Sequence, residues 1–552
     1  MNPSIVPRTD TRWWGWGEPD VETEVGARVR ELLDLRGLET DTSELDQVRS
    51  IEAVAIPKAK RIPDAVLAAA GGDWVLTDHD SRVRHATGQS LEDLLTLRSG
   101  VVPTAPDAVV IGRDAAQILA VLEAASRERV AVIPYGGGTS VTGGLRVPEA
   151  IEAPVISLDT VGLNRVEVDP ISRTGRLGAG LRGPEAEEAV NRFGLTTGHF
   201  PQSWEYATIG GFAATRSAGQ ASNGYGRFDE MVTGIDVVTP GGILRTPRVE
   251  HAAEGPSLLE LMVGSEGAFG VITEVEMRLP PIPDTSYVVW LLPDFESGID
   301  CVMTMAQRDA LPAVVRLSDR TETSLNLAMS GPGGAAGTAF NAYLGARGRS
   351  DGCLMIVGYE GEPGENASVR SETNSLLRRA GGIRLGARPG ASWVRSRFHG
   401  PYLREGLLDL GLVVETFETA APWSEYVDAY LSIRDATLAA LERNGMAGEL
   451  LCHLSHAYPD GASLYFTLVS TPGTRGAVES WVAVKEAVLA ELLELDLPVS
   501  HHHGIGRDHA AAYARRVGQV GLAALDATKR SVDPAGIMNP GCLLPTSFHR
   551  TP

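Results

Sequence analysis

The sequence predicts an α+β protein built from more than one domain, and three observations carry that expectation. At 552 residues the chain is too long for one ordinary core. From Pro106 to Pro280 helical and strand patterns alternate in a segment dense in glycine. A proline-rich break, Pro280-Pro281-Ile282-Pro283, then precedes a second stretch of strands and helices. A composition of 43% hydrophobic and 22% charged residues is that of a globular, soluble chain. The expected division is a lead-in at 1–95, a first domain at 96–282, a second at 283–500 and a closing segment at 501–552.

In the lead-in, Trp13-Trp14-Gly15-Trp16-Gly17 is expected to pin the N-terminus on the body of the protein. Asp114 and Gln117 form a capping box, followed by an apolar stripe at Ile118, Leu122 and Ala125. Val130 to Ile133 is a buried strand running into Pro134-Tyr135-Gly136-Gly137-Gly138-Thr139-Ser140. Val155 to Leu158 is a strand, Pro184 to Phe193 a helix, and Gly234 to Val238 a strand ending at Pro240-Gly241-Gly242. Leu258 to Val263 is helical and Gly270 to Met277 a strand. Beyond the proline break, strands Ser286 to Leu291 and Cys353 to Tyr359 alternate with helices Gly298 to Arg308 and Ser424 to Asn444. Glycine-rich Gly331 to Gly348 is expected as a mobile loop, and a helix near Ala510 to Arg530 precedes an Asp533-Pro534 turn.

Charge and cysteine usage exclude several classes. A net charge of −21 disfavours wrapping nucleic acid or anionic lipid. Lysine occurs only at Lys58, Lys60, Lys485 and Lys529, so the arginines acquire meaning one by one. Four scattered cysteines, Cys301, Cys353, Cys452 and Cys542, suit a reduced, cytoplasmic protein. No apolar run reaches the ~18 residues of a membrane span, and Phe548 to Pro552 matches no retention or peroxisomal tail.

Gly136-Gly137-Gly138-Thr139-Ser140 follows a strand. Successive glycines let backbone N–H groups converge on an anion without Cβ clashes. A glycine triplet is also an ordinary tight turn, and by itself it leaves both readings open. Two further glycine-rich stretches follow. One runs from Gly198 through Pro201-Gln202-Ser203-Trp204-Glu205-Tyr206-Ala207 to Gly211 and on to Thr215-Arg216-Ser217-Ala218-Gly219. The other is Gly264-Ser265-Glu266-Gly267-Ala268-Phe269-Gly270-Val271-Ile272. Three such stretches exceed what turns require and suit a large flat cofactor held by backbone groups.

In this order and spacing the stretches resemble the flavin domain of the vanillyl-alcohol-oxidase/p-cresol-methylhydroxylase superfamily, and within it the alkyldihydroxyacetonephosphate synthase family. The likeness continues through Val315-Arg316-Leu317, Tyr402-Leu403-Arg404, Glu415 to Trp423 (ETFETAAPW), Ser463 to Phe466 and His501-His502-His503-Gly504-Ile505-Gly506. The resemblance implies a two-part FAD-binding domain of the p-cresol-methylhydroxylase type, an α+β cap domain over the substrate, and a C-terminal segment returning to the flavin. It implies non-covalent FAD held by Pro134 to Ser140, Pro201 to Ala207, Thr215 to Ala218 and Glu266 to Ile272. It makes Arg404 the ligand of a substrate phosphate and Tyr465 the acid/base, with His501, His502, His503 and Arg316 completing the site. Gln202 stands where the family usually has an acidic residue.

The implied reaction exchanges an acyl for an alkyl group on a dihydroxyacetone phosphate-like substrate, through a flavin N5 adduct and without net redox change. A small or lipid-like anionic substrate and a homodimer follow from the same resemblance. Without it, Tyr465 reads equally as a core aromatic, Arg316 and Arg404 as surface or ion-pair groups, and the histidine run as an exposed loop or an adventitious metal site.

Two other readings remain. One is an FAD-dependent D-2-hydroxyacid dehydrogenase or oxidase. That branch binds a divalent metal through a histidine pair and a later glutamate. This chain has His453 but places Tyr465 and His502 at the other two positions, so no metal is expected. The other is a flavoprotein-like binding module, which retention of Tyr465, the triplet and both arginines argues against.

Overall fold

A computed structural model describes residues 8–19, 21, 24–38, 50–247, 253–362, 364 and 366–545. The tail Phe548 to Pro552 and parts of the lead-in lie outside these residues. Strands β1 (Val75–Leu76), β2 (Ala108–Ile111), β3 (Ala131–Tyr135) and β4 (Val155–Asp159) form one sheet, ordered β1-β2-β4-β3. Strands β2, β4 and β3 run parallel. Such a sheet needs cover on its faces, and the stripe Ile118, Leu122 and Ala125 of helix Ala115–Glu128 is fully buried. Half of the expected capping box forms. Asp114 accepts the Gln117 N–H, but Gln117 Oε1 takes the N–H of Arg113 instead of that of Asp114.

Strands β5 (Val166–Asp169), β6 (Thr174–Gly178), β7 (Val232–Thr239), β8 (Gly242–Arg245) and β9 (Val271–Arg278) make an antiparallel sheet, ordered β5-β6-β9-β7-β8. It shares one apolar core with the first sheet. The C-terminal segment joins this core. Ile537 O accepts the Val132 N–H and Asn539 N–H donates to Val132 O, so the chain end runs along β3.

The third sheet holds β10 (Asp284–Leu292), β11 (Val314–Ser318), β12 (Cys353–Gly361), β13 (Ile383–Gly386), β14 (Val413–Pro422), β15 (Gly448–Leu454) and β16 (Gly461–Ser470). It is antiparallel throughout, in the order β13-β10-β12-β11-β15-β16-β14. The proline break lies between β9 and β10. Helices Phe295–Gln307, Tyr426–Arg443 and Ala477–Glu494 share a core with this sheet through residues such as Ile299, Val302, Ile433 and Val484. Because side chains alternate along a strand, residues between those core positions, including Arg316, Thr416 and Tyr465, line a cavity.

One expectation changes. Gly331 to Gly348 contains a helix, Gly334–Ala346. Between its glycines stand Ala335, Ala336, Ala339, Leu344 and other good helix formers, and Leu344 is buried. The lead-in also packs into the body. Val29 and Leu33 meet Leu407, Val414 and Leu451, while Leu91 and Leu94 enter the core of the third sheet.

Candidate functional site

A cavity of about 1070 Å³ lies between the glycine-rich turns and the third sheet. Pro134 to Ser140 line it, with Pro201, Gln202, Ser203, Ala207, Thr215, Ser217, Ala218, Glu266, Gly267, Gly270, Val271 and Ile272. The glycines are sterically required. A Cβ on Gly137 would lie 2.0 Å from Tyr206 O, and one on Gly136 2.5 Å from Thr208 Oγ1. Gly267, at φ +75, would place its Cβ 2.9 Å from Pro134. The turns therefore press together as bare backbone, a surface that suits a flat, elongated diphosphate such as FAD.

Several expected cofactor residues stand behind this surface. Trp204 stacks on Phe398, Glu205 accepts the Tyr402 hydroxyl at 3.0 Å, and Tyr206 meets Trp16 edge-on. Arg216 turns away to Asp229 and Glu260. Ala268 and Phe269 belong to the core. These residues do not line the cavity, because each completes packing under the turns.

On the opposite wall, strand pairing aligns three groups: Glu418 on β14 faces Tyr465 on β16, which faces His453 on β15. The Tyr465 ring stacks on His453 at 4.6 Å and lies 5.8 Å from His502 and 5.4 Å from His503. Burial, with Glu418 nearby, pushes the Tyr465 hydroxyl up to about 12, so it stays protonated at neutral pH. Burial lowers His503 and holds His502 well below its ordinary value, leaving neutral imidazoles able to accept protons.

The histidine turn is held by Glu418, a residue sequence reasoning left without a role. Its carboxylate accepts the N–H groups of His501, His502 and His503 and the Ser500 hydroxyl. Burial opposes its ionisation, but His503, His501 and these N–H donors hold it down to about 2. Ligand atoms of Glu418, His501 and His502 lie within 4.8 Å of one another, yet both Glu418 oxygens already accept hydrogens. His501 itself does not line the cavity.

Arg316 reaches the cavity but is neutralised. It donates to Glu322 and contacts His453 Nδ1 at 3.1 Å. Burial notwithstanding, Arg316 and His453 hold Glu322 down to about 2. Arg404, on helix Gly400–Leu408, donates to Gln89 O at 2.9 Å. Its Nε is buried with no hydrogen-bond partner, an N–H suited to an anion entering the cavity.

An apolar arm of the cavity, lined by Leu325, Leu327, Met329, Phe340, Ile356 and Trp393, was not anticipated. Its residues come from helices Arg320–Ser330, Gly334–Ala346 and Ala387–Ser396 and from β12. They converge only in three dimensions. Met329 is 45% exposed, so the arm reaches the surface.

Residues 106–246 match the family "FAD binding domain", and residues 283–543 match "FAD linked oxidases, C-terminal domain". The chain is 32% identical over 484 residues to alkyldihydroxyacetonephosphate synthase of Trypanosoma brucei brucei, across 86% of this chain and 79% of that protein. A solved alkyldihydroxyacetonephosphate synthase superposes with a TM-score of 0.82 at 24% identity, covering 97% of this chain and 99% of its own. A more distant relative, a mitochondrial D-lactate dehydrogenase (cytochrome) of Arabidopsis thaliana, is 24% identical over 514 residues, 90% of this chain and 83% of that one.

Proposed function

Because the chain belongs to the alkyldihydroxyacetonephosphate synthase family of FAD-dependent enzymes, we propose that it replaces the acyl group of an acyl-dihydroxyacetone phosphate-like substrate with the alkyl group of a long-chain alcohol. One observation carries the substrate class: a single cavity joins an unpaired buried guanidinium N–H, neutral proton-transfer groups and an apolar arm. FAD is the cofactor, and when bound it supplies an electron-accepting ring to the substrate carbon. The glycine-rich turns of 96–282, with the returning segment 501–552, hold it, and 283–500 supplies the substrate side.

In this reading Arg404 binds the phosphate through its Nε, its other guanidinium nitrogens being held by Gln89 and Glu405, and the apolar arm takes the chain. Tyr465 stays protonated and gives or takes a proton at its hydroxyl, with His502 and His503 as neutral partners. Arg316, paired with Glu322, orients His453 beside Tyr465. Four free, buried cysteines support a reducing, cytoplasmic setting, and a homodimer is part of the same reading.

The test is an exchange assay on purified holoenzyme. Acyl-dihydroxyacetone phosphate and hexadecanol should yield an ether and a free fatty acid. Arg404→Lys should raise KM for the phosphate substrate by roughly tenfold or more with flavin content unchanged. Rapid flavin bleaching by D-lactate with no ether formed overturns the reading in favour of the dehydrogenase branch.

A further inference from the structure

His501 is the one member of the triplet that turns away from the cavity. Its Nδ1 meets His502 Nδ1 at 3.0 Å, and its Nε2 meets the Tyr458 hydroxyl at 2.8 Å. His502 lines the cavity, whereas Tyr458 is partly exposed; its hydroxyl is hydrogen-bonded to Arg227, with Asp229 and Glu230 nearby, of which Glu230 is exposed. The three side chains thus form an unbroken hydrogen-bonded path from the buried site toward the surface.

We propose that His501 and Tyr458 are a relay that carries the proton released by the exchange reaction from His502 out of the cavity. The proposal rests on the exchange reading above. Its chemistry requires an exit. The bond from the substrate carbon to the acyloxy oxygen breaks, a bond from that carbon to the alcohol oxygen forms, and the acyl group leaves as a carboxylate. The alcohol hydrogen is then left over as one proton per turnover, with no oxidant or reductant involved.

The path is built to hold its geometry. Glu418 fixes the backbone of His501 and His502. His456 stacks on His501 at 5.3 Å and is itself held by Ser222 Oγ at 2.6 Å from its Nδ1. Trp423 Nε1 anchors Tyr458 by donating to its carbonyl. Burial pushes His501 down to about 4 and the Tyr458 hydroxyl up to about 12. Both groups are therefore neutral at pH 7. Each can take a proton on one side while releasing one on the other. His502 receives the alcohol proton and passes its Nδ1 proton to His501, which hands its Nε2 proton to Tyr458 and so to water.

The experiment compares wild type, Tyr458→Phe and His501→Gln holoenzymes in the exchange assay at low buffer concentration. Each variant should lose roughly tenfold or more in kcat, with KM for the alcohol and flavin content unchanged. The solvent deuterium isotope effect on kcat should rise. Added imidazole should restore Tyr458→Phe in proportion to its concentration, which a packing defect would not allow. Wild-type kcat in both variants overturns the relay, as does a loss that imidazole leaves untouched. Should Tyr458→Phe fail to fold, His501→Gln with imidazole rescue decides. A wild type that forms no ether overturns the exchange reading and the relay together, whereas an active wild type with equally active variants overturns the relay alone.

Discussion

Glu266 combines a left-handed backbone, φ 49, with a buried carboxylate that accepts the N–H groups of Ile505 and Gly506 at 2.7 and 2.8 Å. It ties the returning C-terminal segment to the third glycine-rich turn, inside the cavity wall. Burial raises it from 4.5 to about 7, against the pull of those two donors and Arg507. Between these values the folded protein holds a proton that the unfolded chain has lost. Stability therefore falls as pH rises from about 4.5 to about 7 and levels off above. The whole contribution is about 3 kcal/mol. Glu266→Gln lacks this slope, so its stability relative to wild type should rise between pH 5.5 and 8 in urea denaturation. Parallel stability–pH curves for the two proteins would show that Glu266 does not titrate in that window.

Among the elements, the Trp-rich segment near the N-terminus acts as a brace on helix Gly400–Leu408. Trp13 and Trp16 are buried. Trp16 meets Tyr206 at 4.9 Å, and Gly17, at φ +113, sits 3.0 Å from the Tyr402 ring when a Cβ is added. A Cβ on Gly15 would fall 2.0 Å from Glu405 Oε2, the oxygen that Arg98 holds at 2.6 Å. Arg98 also donates to the Trp14 carbonyl. The brace thus bears on the turn that presents Arg404. Gly15→Ala should push Glu405 off Arg98, uncovering a buried charge pair at a cost of about 3 kcal/mol. Equilibrium denaturation reads that cost directly, and an unshifted midpoint would mean that the segment yields instead of Glu405.

For the whole molecule, the placement of histidine and cysteine bears on how FAD is held. The four cysteines are buried in the cores and none lines the cavity. His199, the histidine within the glycine-rich region, is wedged between Phe212 and Phe228 and bonded to Ser217. It too is absent from the cavity wall. FAD should leave entirely with the supernatant after acid precipitation; a pellet that stays yellow would reveal a covalent link, to be sought first among the histidines that do line the cavity, such as His453, His502 and His503. Among the described residues no helix is long and apolar enough to cross a membrane.

The sequence alone specified the glycine-rich turns, because close backbone approach forbids side chains at Gly136, Gly137 and Gly267, and that demand is local. It also pointed to Arg404, Tyr465 and the triplet through short motifs. It was silent on Glu418, Glu322 and the apolar arm. Glu418 meets the triplet across 83 residues of chain, and Arg316 meets His453 across 137; such pairings exist only once antiparallel strands set their register. The same register separates His501 from its two neighbours. One residue's rotation along the turn sends it to Tyr458 while His502 and His503 face the cavity, and no spacing in the sequence distinguishes the three. Glycine content misled at 334–346, where alanine and a buried leucine favour helix and tertiary contacts complete it. Local backbone demands are written residue by residue; which buried charge meets which partner is decided by the packing of distant strands.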